Sequence, residues 1–177
     1  MLHLARIRDQ DVPELYDSSE NRKATLSKFR LKENTWKDGE QEYTVLQYER
    51  PIRNEDHGEA VGHLRSIVHR DGKIVCVAPP RGYTMERFTE AHVASKCVAE
   101  ETVEGTMINL FYDEGDWHLS TRGTVGARNW FYRGSPTFRQ MFLATAGEAG
   151  LDFDRLPKDC CYSFVLQHPE NRIVSRV

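Results

Sequence analysis

The sequence predicts an α+β fold in which helices pack on a mainly antiparallel sheet. The first observation is a β-hairpin pattern. Two β-branched runs, 64–69 and 73–78, flank Asp71-Gly72, a dipeptide that favours tight turns between antiparallel strands. A second hairpin pattern and one long amphipathic helical pattern follow later in the chain. Hairpins and helices in separate stretches are typical of the α+β class rather than of alternating βαβ units.

Length and composition are those of one folded domain. The chain has 177 residues, of which 39% are hydrophobic and 10% aromatic, which is enough for a core. Because the formal charge is −3, contact with nucleic acid requires a local basic patch. The four cysteines lack C-x-x-C spacing and the seven histidines lack H-x-H pairing, so no metal site is predicted. Since no apolar run is long enough, we expect neither a signal peptide nor a membrane segment, and hence an intracellular protein.

The N-terminal part of the chain is highly charged and predicts a peripheral arm over residues 1–42. Its scattered apolar residues predict one short helix near 25–32. Strand character begins at 43–48, where β-branched and aromatic residues accumulate. The sequence therefore predicts two regions, the arm and a folded domain at 43–177.

After the first hairpin the pattern changes to a short helix at 85–93, with Thr84 as its N-cap. The residues expected to face inward are Met85, Phe88 and His92. The second hairpin joins mostly buried strands at 105–112 and 117–121, with Gly115 in the turn.

The longest helix is predicted to begin at Ser135-Pro136, a cap followed by proline at the first helical position, and to end at Gly150. The inward stripe comprises Phe138, Met141, Phe142, Thr145 and Ala149. A strand at 161–167 follows, and another is predicted to begin at Arg172.

Three short segments carry a family resemblance. Glu101-Thr-Val-Glu-Gly-Thr-Met-Ile108 opens the second hairpin and Ser120-Thr-Arg-Gly123 closes it; the chain later reads Tyr162-Ser-Phe-Val-Leu-Gln-His-Pro-Glu-Asn-Arg-Ile-Val174. In this order they resemble the K-x-D-G, S/T-R/K-G and F-E-L-x-x-P-x-N-R-I-V motifs of RNA ligases of the phage type. These ligases share a nucleotidyltransferase superfamily with DNA ligases and mRNA capping enzymes.

The resemblance covers roughly residues 60–177 and implies both a fold and a site. The implied fold is the N-terminal two thirds of a ligase nucleotidyltransferase, or adenylation, domain. The degenerate signature places Thr102 at the nucleophile position, Glu104 at the acidic position and Gly105 at the glycine. The implied nucleotide- or RNA-binding candidates are Arg122, Gly123, Phe164 and Arg172. ATP and Mg²⁺ are the cofactors that any retained activity would need.

Three departures from the family pattern concern its chemistry. The family's lysine attacks the α-phosphate of ATP, and Thr102 cannot form that phosphoramidate. Val165 replaces the strand glutamate that would hold the ribose, and an apolar side chain cannot accept a hydrogen bond. The family's later strands do not follow before Val177. Without those strands, we expect an exposed sheet edge that can pair with another protein chain.

Each candidate residue also has an ordinary structural role. Arg122-Gly123 is a common turn pair, and Glu104-Gly105 can be a retained fold-determining turn. Asn171 and Arg172 are expected to lock a loop rather than to contact RNA. Four aromatic residues, Trp117, Trp130, Phe131 and Tyr132, could stack on bases, although core packing or a protein interface is their commoner use.

Together these observations predict an RNA ligase-like protein that is catalytically inactive on its own, with residual nucleotide or RNA-end binding. The alternative is a structural or interaction protein of a large DNA virus particle or another assembly. Segments of the E-G-T-M-I-N-x-F type are similar to those of proteins from large nucleocytoplasmic DNA viruses, which adds the virion to the expected locations.

Overall fold

The computed structural model describes residues 26–27, 30–49, 62 and 64–171. They form two antiparallel sheets and two α-helices, which confirms the α+β class. A predicted strand beginning at Arg172 lies outside the described residues.

The first sheet has four strands in sequence order. They are β1 (Leu31–Asp38), β2 (Gln41–Tyr48), β3 (Ile67–Arg70) and β4 (Lys73–Val77). The predicted β3–β4 hairpin is confirmed, although β3 is shorter than expected. Asp71 and Gly72 both have positive φ in its turn, as the dipeptide indicated.

The predicted helix near 25–32 is wrong at its C-terminal end, because Leu31 and Lys32 belong to β1. In β1, Leu31 and Asp38 are buried, and the residues between them are exposed or half-buried. Its charged composition resembles a solvated arm, yet all eight of its residues pair with β2. The β1–β2 hairpin thus spans residue 42, where the arm was expected to end.

The second sheet has three strands in the order β6-β5-β7. They are β5 (Thr106–Asp113), β6 (Asp116–Ser120) and β7 (Tyr162–Leu166), and both pairings are antiparallel. The predicted second hairpin and the late strand are confirmed, with Gly115 at positive φ in the turn.

The two faces of β5 pack against different layers. Ile108 and Leu110 join a core cluster with helix α2 (Phe138–Glu148). Phe111 joins another cluster with Tyr43 and Val45 of β2. Since neighbouring strand residues point to opposite faces, the three-stranded sheet lies between α2 and the four-stranded sheet.

Helix α2 is confirmed, but its N-cap is Thr137 rather than Ser135. Thr137 and Gln140 form a reciprocal capping box, and Gly150 has positive φ just after the helix. Three residues of the predicted inward stripe, Phe138, Met141 and Phe142, are buried, but Thr145 is half-buried and Ala149 is exposed. Ala146, which was not predicted to face inward, is buried instead.

Helix α1 (Met85–Ala91) is confirmed with Thr84 as its cap, but its inward face is not. Met85 is 72% exposed, and Phe88 and His92 are also exposed. Within the part of the chain that the structure describes, no helix is both long and apolar enough to cross a bilayer.

Candidate functional site

The degenerate signature lies at the entrance to β5. Thr102 and Glu104 are exposed, and Glu104 contributes a backbone carbonyl that accepts a hydrogen bond from Gln167 Nε2 at 3.1 Å. A Cβ on Gly105 would lie 2.5 Å from the Leu166 carbonyl oxygen and 2.7 Å from Val165 Cγ1. Glycine therefore has a packing role here, since it lets β5 approach β7.

Strand β7 separates Val165 and Phe164 onto opposite faces. Val165, at the family's glutamate position, pairs with Met107 and is 51% exposed. Phe164 packs on the α2 side, where its ring lies 5.2 Å from that of Phe142 in an edge-to-face arrangement. The structure thus places Phe164 against the helix layer and leaves Val165 exposed on the opposite face of β7.

The Ser-Thr-Arg-Gly segment is fastened to β2. Arg122 donates a hydrogen bond from Nη2 to the Tyr48 carbonyl, and its guanidinium lies 4.7 Å from the centre of the Tyr48 ring. A Cβ on Gly123 would lie 2.8 Å from Gln47 Nε2. These contacts give Arg122 and Gly123 a role in joining the two sheets.

The turn after β7 is locked by Asn171, as expected. Its Nδ2 donates hydrogen bonds to the Leu166 carbonyl at 3.1 Å and to Thr106 Oγ1 at 3.0 Å. The turn is therefore held against both β5 and β7. The other residue of the expected pair, Arg172, lies outside the described residues.

A buried polar network around Asp38 was not predicted from the sequence. Asp38 Oδ2 is 3.0 Å from Nδ1 of buried His118, and Asp38 Oδ1 accepts a hydrogen bond from Arg128. Burial raises the pKa of Asp38, but the hydrogen bonds to His118 and Arg128 outweigh it and hold the pKa below the ordinary 3.8. The carboxylate is thus kept charged between the sheets.

A second carboxylate, Asp113, bridges the sheets at the end of β5. It accepts hydrogen bonds from Arg70 Nε at 2.7 Å and from the Tyr43 hydroxyl at 3.2 Å. Burial raises the pKa of Asp113, yet the contacts with Arg70 and Tyr43 leave it below its ordinary value. Burial, followed by the charge of Asp113, raises the pKa of Tyr43. The hydroxyl therefore stays protonated as a donor.

A third set of polar groups crosses the middle of the three-stranded sheet. Ser163 Oγ donates to Asn109 Oδ1 at 2.7 Å, and Asn109 Nδ2 donates to Ser120 Oγ at 3.4 Å.

Two cysteines, Cys76 and Cys161, lie near this network. A hydrogen bond from the Cys76 thiol lowers the pKa of Cys161 to about 6, although burial alone would raise it. Among the described residues, no three His, Cys, Asp or Glu side chains are grouped to hold a metal ion.

Comparison with family models, curated proteins and solved structures found no match to this chain. The ligase resemblance therefore rests on the chain's own motifs.

Two segments of the chain are exposed, and the first of them ends within the degenerate signature, at residues 101–105. Residues 79–105 are all exposed except Arg87 and Cys97, which are half-buried. The large apolar side chains exposed there are Tyr83, Met85, Phe88, Val93, Val98 and Val103. This segment therefore exposes more large apolar side chains than its length would need for solubility alone, which makes it a candidate interaction segment.

The second exposed segment is Arg128–Gly134, which we call the aromatic loop. Trp130, Phe131 and Tyr132 are 51%, 44% and 56% exposed, so the expectation that they pack in the core is wrong. The same expectation is confirmed for Trp117, which packs against the core cluster that contains α2. Sequence alone could not separate them, because burial depends on the layer that covers each residue.

Proposed function

We propose that this chain is an RNA ligase-like nucleotidyltransferase-fold protein that has lost self-adenylation and works by binding, with residual affinity for a nucleotide or an RNA end. The observation that carries the proposal is the exposed Thr102 at the nucleophile position. An alcohol needs a strong base beside it to attack a phosphate, and threonine cannot replace an amine in a phosphoramidate.

The surroundings of Thr102 support the same proposal. Val165 offers no acceptor for a ribose hydroxyl, and Arg122 is hydrogen-bonded to Tyr48. In contrast, Gly105 and Asn171, which belong to the same motifs, make contacts that hold β5 and β7 together. The motif residues with packing roles are thus retained, and the group that would carry the chemistry is absent.

Incubation with ATP labelled in its α-phosphate, with Mg²⁺, tests the loss of adenylation. We expect no label to remain on the denatured wild-type chain, while an active phage-type RNA ligase is labelled in parallel. Thr102→Lys should also stay unlabelled, because Val165 still lacks an acceptor for the ribose. Label on the denatured wild-type chain that withstands acid, as a threonine-linked phosphodiester would, and that disappears in Thr102→Val would overturn the proposal.

A second candidate is a structural or interaction protein of a virus particle or another assembly. The observation that favours it is β7, which within the described residues pairs on one side only and carries the exposed Val165. Analytical ultracentrifugation of the wild-type chain and of Val165→Lys tests edge-to-edge association. A concentration-dependent oligomer that the lysine weakens supports this candidate, and monomers for both chains oppose it.

A further inference from the structure

The charge of the chain is unevenly distributed around the aromatic loop. Between Trp117 and Gly147 the sequence contains no aspartate or glutamate, although the whole chain has a net charge of −3. The same stretch holds four arginines, Arg122, Arg128, Arg133 and Arg139. It is therefore a local basic segment within an acidic chain, the feature that contact with a polyanion requires.

The aromatic loop is exposed over its whole length within this basic segment. Trp130, Phe131 and Tyr132 are consecutive, and the Phe131 and Tyr132 rings pack edge to face with centres 4.7 Å apart. Arg128 and Arg133 border the three rings, and the Arg128 side chain is 61% exposed although it pairs with Asp38. Arginines thus flank three exposed aromatic side chains in the sequence.

Backbone hydrogen bonds hold the aromatic loop in place. The Phe138 and Arg139 amides, in the first turn of α2, donate to the Asn129 carbonyl at 2.9 Å and to the Ala127 carbonyl at 2.8 Å. Just after the loop, the Ser135 amide donates to the Tyr132 carbonyl at 3.1 Å. Because the loop is ordered beforehand, a ligand pays less conformational entropy on binding.

We propose that the aromatic loop is a binding site for single-stranded nucleic acid. Unpaired bases stack on Trp130 and Tyr132, and Arg133 contacts the phosphates. A protein interface can use the same aromatic and arginine side chains. The basic segment has no acidic residue of its own, and Asp38, which pairs with Arg128, is buried. This favours the polyanion, because exposed acidic side chains there would repel phosphates. The inference extends the binding role proposed above, but the residues proposed to contact the ligand, Trp130, Tyr132 and Arg133, lie outside the ligase motifs.

Fluorescence anisotropy with labelled oligonucleotides of about 12 nucleotides tests the site. We expect single-stranded RNA or DNA to bind at low salt and a duplex of the same sequence to bind more weakly, since its bases are already stacked. Trp130→Ala and Tyr132→Ala should each weaken binding by roughly 5- to 150-fold. Arg133→Gln should reduce the slope of log K against log salt by about 0.7.

Tyr83→Ala is the matched control, because Tyr83 is also exposed and lies beside an arginine, Arg87, but in another segment. It should bind as the wild-type chain does, and circular dichroism should show that all variants are folded. Parallel RNA and DNA strands show whether a 2′-hydroxyl contributes.

The proposal is overturned if no single strand binds at low salt, or if the loop variants and Tyr83→Ala bind equally. It is also overturned if Trp130→Ala abolishes self-association without affecting oligonucleotide binding, since the loop is then a protein interface. Label transfer from ATP tests the loss of adenylation separately, so the two proposals can fail independently.

Discussion

Gly105 illustrates, at the scale of one residue, how a motif position is fixed by packing. Gly105→Ala should lower the free energy of unfolding by about 1–3 kcal/mol, because the added methyl group meets the Leu166 backbone at 2.5 Å and must push β7 away. Urea denaturation monitored by circular dichroism measures the change.

Gly147→Ala is the control for this substitution. Gly147 lies in α2, and nothing lies within 4 Å of the position that an added methyl group would occupy. Alanine there should stabilise the protein by up to about 1 kcal/mol through helix propensity. Equal effects of the two substitutions would contradict the proposed role of Gly105.

Asp38 gives a pH-dependent prediction. Its pKa in the folded protein lies below 3.8, so its ionised form stabilises the fold above that value, and the contribution is lost as the pH falls through the folded pKa. Asp38→Asn should lower the free energy of unfolding at neutral pH by about 1–3 kcal/mol, because His118 and Arg128 lose a charged acceptor.

Urea titrations from neutral pH to about pH 3 check the prediction. The stability of the wild-type chain should fall more steeply in acid than that of Asp38→Asn. Asp116→Asn removes an exposed carboxylate of β6 and should change stability by less than about 0.5 kcal/mol. Parallel curves for the wild-type chain and Asp38→Asn would show that Asp38 does not supply this pH dependence.

Residue-scale contacts were the part of the site that sequence could not predict. The motifs identified Arg122 and Gly123, but their neighbours Tyr48 and Gln47 lie on β2, more than 70 residues earlier. The pairing of Asp38 with His118 joins two sheets in the same way. The locking role of Asn171 was predictable. Its side chain closes the short turn after β7 by binding the Leu166 carbonyl, five residues earlier, and Thr106 of the neighbouring strand β5.

At the scale of elements, local signals predicted most of the fold. The two later hairpins have turn residues and β-branched or aromatic residues in their strands that specify them locally. β1 carries no such signal, because Lys32, Glu33 and Lys37 give it the composition of a solvated segment. Its strand conformation follows from pairing with β2, and pairing partners are not encoded in a strand's own composition.

The N-terminus of α2 offers a test that separates the predicted cap from the observed one. Thr137→Ala should cost about 0.5–2 kcal/mol, because the Gln140 amide loses its capping hydroxyl. Ser135→Ala should cost less, since Ser135 Oγ makes only an exposed-loop hydrogen bond to the Tyr132 carbonyl. Chemical denaturation of both variants checks the order. A larger loss for Ser135→Ala would restore Ser135 as the functional cap.

At the scale of the whole molecule, contacts between residues far apart in the sequence hold the core together. Two exposed segments, 79–105 and the aromatic loop, lie outside that core. Asp38, Asp113 and Arg122 each join the four-stranded sheet to the three-stranded sheet or its following loop. The segment 79–105 and the aromatic loop contribute no buried side chain to that core. Stability and binding should therefore be separable by substitution.

Replacing residues 82–103 with a glycine–serine linker of about ten residues tests this separation at the scale of the molecule. The free energy of unfolding should change by less than about 1 kcal/mol, because no side chain in the segment is buried, and roughly halving the loop lowers its closure cost by about 0.6 kcal/mol. Oligonucleotide binding should persist, since the aromatic loop is anchored to α2 rather than to the replaced segment.

A decrease of more than about 2 kcal/mol in the free energy of unfolding would mean that the segment supports the core. Retained stability with loss of a protein partner would assign the exposed apolar residues of 79–105 to that partner's interface.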